Sequence, residues 1–204
     1  MANIRSVMML RLDSESYRLH MAKHTIMARA NSGEHTPDPR SRITQFVEER
    51  VRSAVAAELE LTRLRVLRWE EEDPSSRYRI RFRELDGVFL GEKGEKVLLE
   101  VKASLSRSSV TKGLSQLADS LSIARISVPQ AKGLLVFADT GRHDDLFGEK
   151  ASNLDELISV SSLLPWAPIA SALQADQVNV AIVPDDLLAE WLESIPPSDA
   201  GPAD

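Results

Sequence analysis

The feature that most constrains this chain is residues 77–103, where two β-patterned runs flank one glycine-bearing turn. Over residues 77–90, Tyr78, Ile80 and Phe82 alternate with Arg77, Arg79, Arg81 and Arg83, which gives a strand one apolar and one basic face. Gly87 predicts a bulge or bend beside Asp86. GEKGEK, residues 91–96, supplies the turn, and residues 97–103 form the returning strand. On that strand Leu98, Glu100 and Lys102 share one face, with Val97, Leu99, Val101 and Ala103 on the other. A hairpin symmetric about Lys93 sets Asp86 opposite Glu100, with their Cβ atoms roughly 4.5 to 5.5 Å apart. Acids so placed repel, and that register requires a cation. A slip of one residue sends Asp86 to the opposite face, so the turn decides between the two arrangements.

The flanking segments fix the surroundings of this hairpin. Ile43, Phe46, Val47, Val51, Ala54, Val55 and Leu59 have helical spacing and predict a helix to about residue 61. A short strand over residues 64–69 follows, closed by an acidic turn at 70–74. Beyond the hairpin, Ser106, Ser108 and Ser109 offer N-caps to a helix whose apolar face is Val110, Leu114, Leu117 and Leu121. The continuous apolar runs 133–138 and 178–183 read as buried strands, with helices over 153–164 and from Pro184 onward. The order helix, strand, strand, strand, helix, strand predicts an α/β fold with one mixed central sheet flanked by helices.

At 204 residues one domain is expected. Residues 1–40, with breakers at Gly33, Pro37 and Pro39, predict a poorly ordered arm and linker. Residues 41–195 are the folded domain and 196–204 a disordered tail.

Composition matters at three points. The chain has no cysteine, so thiolate metal sites and disulfides are excluded, and any metal must sit on carboxylates or histidines. No apolar stretch approaches the roughly 20 residues of a spanning helix, and a cytoplasmic protein with no membrane partner is expected. The net charge of −6 argues against nucleic acid until it is divided. Residues 1–112 carry 21 Lys+Arg against 17 Asp+Glu, net +4, and residues 113–204 carry 4 against 14, net −10. The half that holds the hairpin can thus present a positive face to phosphates.

Two carboxylates and a lysine among apolar strand residues have the makings of a hard-metal site, since Mg²⁺ prefers oxygen ligands. A metal held there lowers the pKa of bound water and offsets phosphoryl charge, while Lys102 orients the water or stabilises the transition state. The strings ELDGVF (residues 84–89), LLEVKAS (98–104) and SQL (115–117) resemble the signature of the PD-(D/E)XK, or restriction-endonuclease-like, nuclease superfamily. The resemblance covers about residues 43–138 and implies an α-β-β-β-α-β core. It implies Asp86 and Glu100 as ligands of Mg²⁺ or Mn²⁺, the Val101 carbonyl as a further ligand and Lys102 as the catalytic lysine. It also implies a first-helix acid, Glu48 with Glu49 next in line, and Gln116 facing the site. The implied activity is metal-dependent phosphodiester hydrolysis, foremost as a DNA endonuclease. The alternative is a catalytically inactive nucleic-acid-binding or assembly subunit on the same scaffold. Either leaves room for a homo-oligomer or a partner protein. Leu85 stands where the family name has proline, and no tyrosine follows Gln116 as in the RecB-like branch.

Other features have plainer readings. The arginine stripe is expected to be a solvated face ahead of a phosphate contact, and Lys112 a surface lysine. His143, Asp144 and Asp145 fit a polar loop rather than a metal cluster. Trp69, Trp166 and Trp191 fit packing.

Overall fold

In chain order the elements are β1 (Ile4–Arg11), α1 (Glu15–Asn31), α2 (Pro39–Glu58), β2 (Leu64–Glu72), β3 (Tyr78–Glu84), β4 (Gly87–Leu90), β5 (Lys96–Ser104), α3 (Arg107–Ala124), β6 (Lys132–Asp139), β7 (Leu163–Pro165), β8 (Asn179–Ile182) and α4 (Asp185–Glu193). They are seen in a computed structural model that describes residues 3–31, 39–91, 93–104, 107–140, 163–165, 179–183 and 185–194. The protein is mixed α/β, but its strands form two sheets where one was expected. A three-stranded sheet has the order β1-β2-β3, and a five-stranded sheet the order β4-β5-β6-β8-β7.

The strand expected over residues 77–90 is divided between those sheets. β3 pairs antiparallel with β2, and β4 antiparallel with β5. At the break Leu85 is buried and its N–H donates to the Arg65 carbonyl at 2.7 Å, while the Thr62 N–H reaches the Val88 carbonyl at 2.7 Å. The Leu61↔Phe89 bridge lies five residues back and five residues on from the Val66↔Glu84 pair, so the register holds across the break. The sequence shows the cause: the apolar phase is even through Phe82 and odd at Leu85, and side chains cannot follow that shift in a flat strand.

The β4–β5 hairpin has the symmetric register. Gly87 pairs with Leu99, Val88 with Leu98, Phe89 with Val97 and Leu90 with Lys96. Gly94, at φ 76°, supplies the left-handed residue that the turn needs, and its N–H donates to the Gly91 carbonyl at 2.9 Å. From β5 the chain crosses through α3 to β6, which runs parallel to β5.

β5 separates two apolar layers. Val97, Leu99, Val101 and Ala103 pack with Val47, Val51 and Val55 of α2 and with Leu188 and Trp191 of α4. On the other face Leu98 joins Leu117 and Leu121 of α3 and Leu67 and Trp69 of β2. Each large side chain so buried stabilises the fold by about 1.5–3 kcal/mol. This double packing holds the strand that carries Glu100 and Lys102.

The poorly ordered arm is corrected by β1, which pairs along β2 from Ile4↔Glu71 to Arg11↔Leu64. Ile4, Val7 and Met9 pack against the second apolar layer. Ser6, at φ 54°, lies in a register shift between Arg5 and Met8, and this bulge breaks the alternation that would have marked a strand. α1 then lays Tyr17 and His20 on Phe82, with ring centroids 5.8 and 4.5 Å away.

Residues 70–72 are not a turn but the end of β2, where Glu70 pairs with Arg5 and Glu71 with Arg81. In the segment expected to be helical over 153–164, Leu163 and Leu164 belong to β7. The rest of that segment lies outside the described residues, as do residues 32–38, His143, Asp144, Asp145, Trp166 and the tail 196–204. Much of the arginine stripe is already paired: Arg79 with Asp73 at 2.8 Å, Arg81 with Glu71 at 2.9 Å, and Arg83 with Ser120 Oγ at 3.1 Å. No described helix is long and apolar enough to cross a membrane.

Candidate functional site

β4 ends at Gly87, so among the described residues β5 has no strand on that side beyond Leu99. In a strand alternate residues turn N–H and C=O to the same edge, and here Val101 and Ala103 face the vacated one with Leu99. Their N–H groups need acceptors. Asp86 Oδ2 accepts from the Val101 N–H at 2.7 Å, and Glu48 Oε1 from the Ala103 N–H at 3.3 Å. Two carboxylates thus stand where the carbonyls of a neighbouring strand would stand. The Val101 carbonyl is directed to the same edge.

Glu100 and Lys102 point to the α3 side of the strand, and Lys102 Nζ lies 2.7 Å from Glu100 Oε1. The helix passes close above them. At Gly113 an added Cβ would stand 2.9 Å from Lys102 Cγ and 2.9 Å from Leu135 Cδ1, so glycine leaves room for the lysine stem. A fifth charged group comes from α2: Arg52 Nη1 is 2.9 Å from Asp86 Oδ1, and Nη2 is 2.9 Å from Glu49 Oε2. Sequence reading missed Arg52 and Gly113. For Arg52 the signal was present, one helical turn after Glu48 and on the same face. For Gly113 no signal exists without the packing of α3 on β5.

The structure therefore brings together Asp86, Glu100, Lys102 and Glu48, with Val101 bound through its backbone. Of the two first-helix acids, Glu48 reaches β5, while Glu49 is exposed and paired with Arg52. Gln116 is exposed on α3. Its carbonyl accepts from Arg83 Nη1 at 3.2 Å and from Ser120 Oγ at 2.8 Å, and its side chain makes no described bond to the acids.

Three carboxylates and two cations leave this cluster one negative charge in excess. Burial pushes the Glu48 carboxyl above its usual 4.5 and Asp86 adds repulsion, against the pull of the Ala103 N–H and Lys102. Burial likewise raises Glu100, with Asp86 and Glu48 adding to it and the Lys102 bond opposing. Burial alone would lower Lys102, but Glu100, Asp86 and Glu48 outweigh it and hold the ammonium above 10.5. The guanidinium of Arg52 is raised in the same way, its burial outweighed by Asp86 and Glu49.

The donors are hard oxygens in a cluster short of positive charge, which suits a cation such as Mg²⁺ or Mn²⁺. They are not a preformed cage. Among the described residues no three acid or histidine side chains already converge on one ion position. The bonds explain why: Asp86 is turned to Arg52 and Val101, Glu100 to Lys102, and Glu48 to Ala103. Beside Asp86 an open groove of about 410 Å³ is lined by Arg52, Ser53, Leu61, Arg65 and Glu84. Comparison of the chain with models of known protein families, with curated proteins and with solved structures finds no match.

Proposed function

We propose that this protein is a divalent-metal-dependent hydrolase of phosphodiester bonds, acting on nucleic acid and foremost as a DNA endonuclease. The observation that carries the reading is the clustering around β5 of Asp86 and Glu48, bonded to the edge that β4 leaves open, with the Glu100–Lys102 pair on the adjoining face. The element order from α2 to β6, with an antiparallel hairpin followed by a helical crossover to a parallel strand, supports a restriction-endonuclease-like core.

In this reading Asp86, Glu100 and the Val101 carbonyl hold Mg²⁺ or Mn²⁺. The ion supplies positive charge for the phosphoryl oxygens and acidifies water. Asp86 is fixed by the Val101 N–H, so one carboxylate oxygen is aimed by the backbone of the strand itself. Lys102, held charged by its neighbours, stabilises the developing negative charge on the substrate. Glu48 keeps α2 on the open edge and adds the third carboxylate. The basic residues of the N-terminal half supply the field that attracts a polyanion.

The test is cleavage of supercoiled, linear and single-stranded DNA, and of RNA, with Mg²⁺ or Mn²⁺ added. Asp86→Ala and Lys102→Ala should each lower the rate by at least about 100-fold. Cleavage that survives both substitutions removes the reading.

One observation favours a second reading, a non-catalytic nucleic-acid-binding or assembly subunit on the same scaffold. Arg52 and Lys102 already neutralise Asp86 and Glu100 from within the chain. Calorimetry separates the two: a chain that binds neither Mg²⁺ nor Mn²⁺, but does bind nucleic acid, is the second.

A further inference from the structure

Arg52 occupies the position that decides whether the cluster is open or closed. Its Nη1 sits 2.9 Å from Asp86 Oδ1, the one Asp86 oxygen that the backbone does not hold. Its other terminal nitrogen, Nη2, and its Nε lie 2.9 and 3.2 Å from Glu49 Oε2. Glu49 is exposed, while Arg52 and Asp86 are about three-quarters covered. The guanidinium is therefore tethered at its outer edge and engaged with the site at its inner edge. It also lines the groove beside Asp86, so it has space to turn into.

We propose that Arg52 is a resident counter-ion that competes with the divalent cation for Asp86 and, once displaced, binds a phosphate of the nucleic-acid backbone. This rests on the hydrolase reading for its substrate, but the competition for Asp86 does not require turnover. Charge supports the exchange. Without Arg52 the cluster of Glu48, Asp86, Glu100 and Lys102 carries two negative charges, which a divalent cation neutralises. The displaced guanidinium then stands at the rim with its planar pair of donors free of Asp86, a geometry suited to two phosphate oxygens. Geometry also says what the exchange disturbs. Asp86 keeps its 2.7 Å bond from Val101 when Arg52 leaves, so the carboxylate stays aimed.

The experiment is calorimetric titration of Mn²⁺ into the full chain, without substrate, for the wild type, Arg52→Gln and Arg52→Lys. Circular dichroism on each sample establishes that it is folded. Arg52→Gln is expected to bind Mn²⁺ at least fivefold more tightly than the wild type. Arg52→Lys, which keeps the charge with a single-point contact, is expected to fall between them and carries the test alone if the glutamine variant does not fold. With a DNA substrate, loss of the guanidinium should raise KM about tenfold and change kcat less. Tighter Mn²⁺ binding in a variant series that cleaves nothing sustains the counter-ion and removes the hydrolase. Equal or weaker Mn²⁺ binding in the variants, or no binding in any of them, overturns the proposal, because a merely structural Arg52 would hold the ligand in place for the metal.

Discussion

Glu95 and Glu100 stand five residues apart at the two ends of one arm of the hairpin, and they invite comparison. Each residue is 8% exposed, and each carboxylate is paired with a lysine, Glu95 with Lys132 at 3.0 Å and Glu100 with Lys102 at 2.7 Å. Yet the two groups shift in opposite directions. The Lys132 bond, with the N–H groups of Glu95 itself and Lys93, holds Glu95 below the usual glutamate value. Burial, with Asp86 and Glu48 close by, pushes Glu100 above it. An ion pair alone does not decide the state of a buried acid: desolvation dominates at Glu100, with Asp86 and Glu48 adding to it, whereas at Glu95 the Lys132 bond and two backbone N–H groups outweigh it. The turn end is a satisfied structural contact, whereas the open end is held in a state that a further cation would relieve.

The largest effect should come from removing each lysine. Lys102→Met should lower DNA cleavage by about 100- to 1000-fold, read as initial rates under saturating Mg²⁺. It should also destabilise the fold by about 3 kcal/mol in urea unfolding, because Glu100 is left without its partner. Lys132→Met at the turn end should lower stability and leave cleavage at the wild-type rate. Equal losses of cleavage in the two variants would break the comparison.

Added cation should act at one end only. Mg²⁺ at about 100 times its dissociation constant should stabilise the wild type by about 2.7 kcal/mol, seen as a rise in Tm. Asp86→Asn should lose most of that rise and Glu95→Gln should keep it.

Neutral isosteres sharpen the contrast further. At pH 7.5, Glu95→Gln should cost about 1.5 kcal/mol by weakening a charged hydrogen bond. Glu100→Gln should raise stability by about 1 kcal/mol while abolishing cleavage, as expected of a group kept for function. The pH dependence follows from the directions of shift. The lowered carboxyl of Glu95 contributes stability above its unfolded value of 4.5, lost as pH falls through its folded value. The raised carboxyls of Glu48 and Glu100 lower stability above their folded values, a cost that disappears as pH falls toward and below 4.5. Thermal melts from pH 7.5 to below 4 should therefore show Tm differences of opposite sign that fade in different windows: that of Glu100→Gln shrinks as pH falls toward 4.5, and that of Glu95→Gln persists to 4.5 and shrinks only below it. The smallest effect should be that of Arg81→Ala, whose pair with Glu71 has an arginine half exposed and should contribute less than about 0.5 kcal/mol.

The hairpin was legible because its turn is short, and the register centred on Lys93 runs from Leu90↔Lys96 to Gly87↔Leu99. The expected next pair is not made: Asp86 leaves the ladder and accepts from the Val101 N–H, near enough to Glu100 to raise its carboxyl but not paired opposite it. The faces of β5 were legible because period two needs no knowledge of the partner. β1 was hidden by the left-handed Ser6, which moves the side chains after it out of phase. The split between β3 and β4 was written in the phase change at Leu85 but was masked by continuous β-forming composition. Long-range geometry was the least legible. That Arg52 meets Asp86 follows from how α2 crosses β5, and no local pattern encodes that crossing.

The central claim is that the open end of the hairpin is a cation site held closed by the chain's own charges. A crystal soaked in Mn²⁺, with the ion located by its anomalous signal, tests it most directly. The account predicts one strong peak within bonding distance of Asp86 and Glu100, with the Arg52 guanidinium turned off Asp86 into the groove. A peak elsewhere, or none, with the Arg52 to Asp86 contact intact, would contradict it.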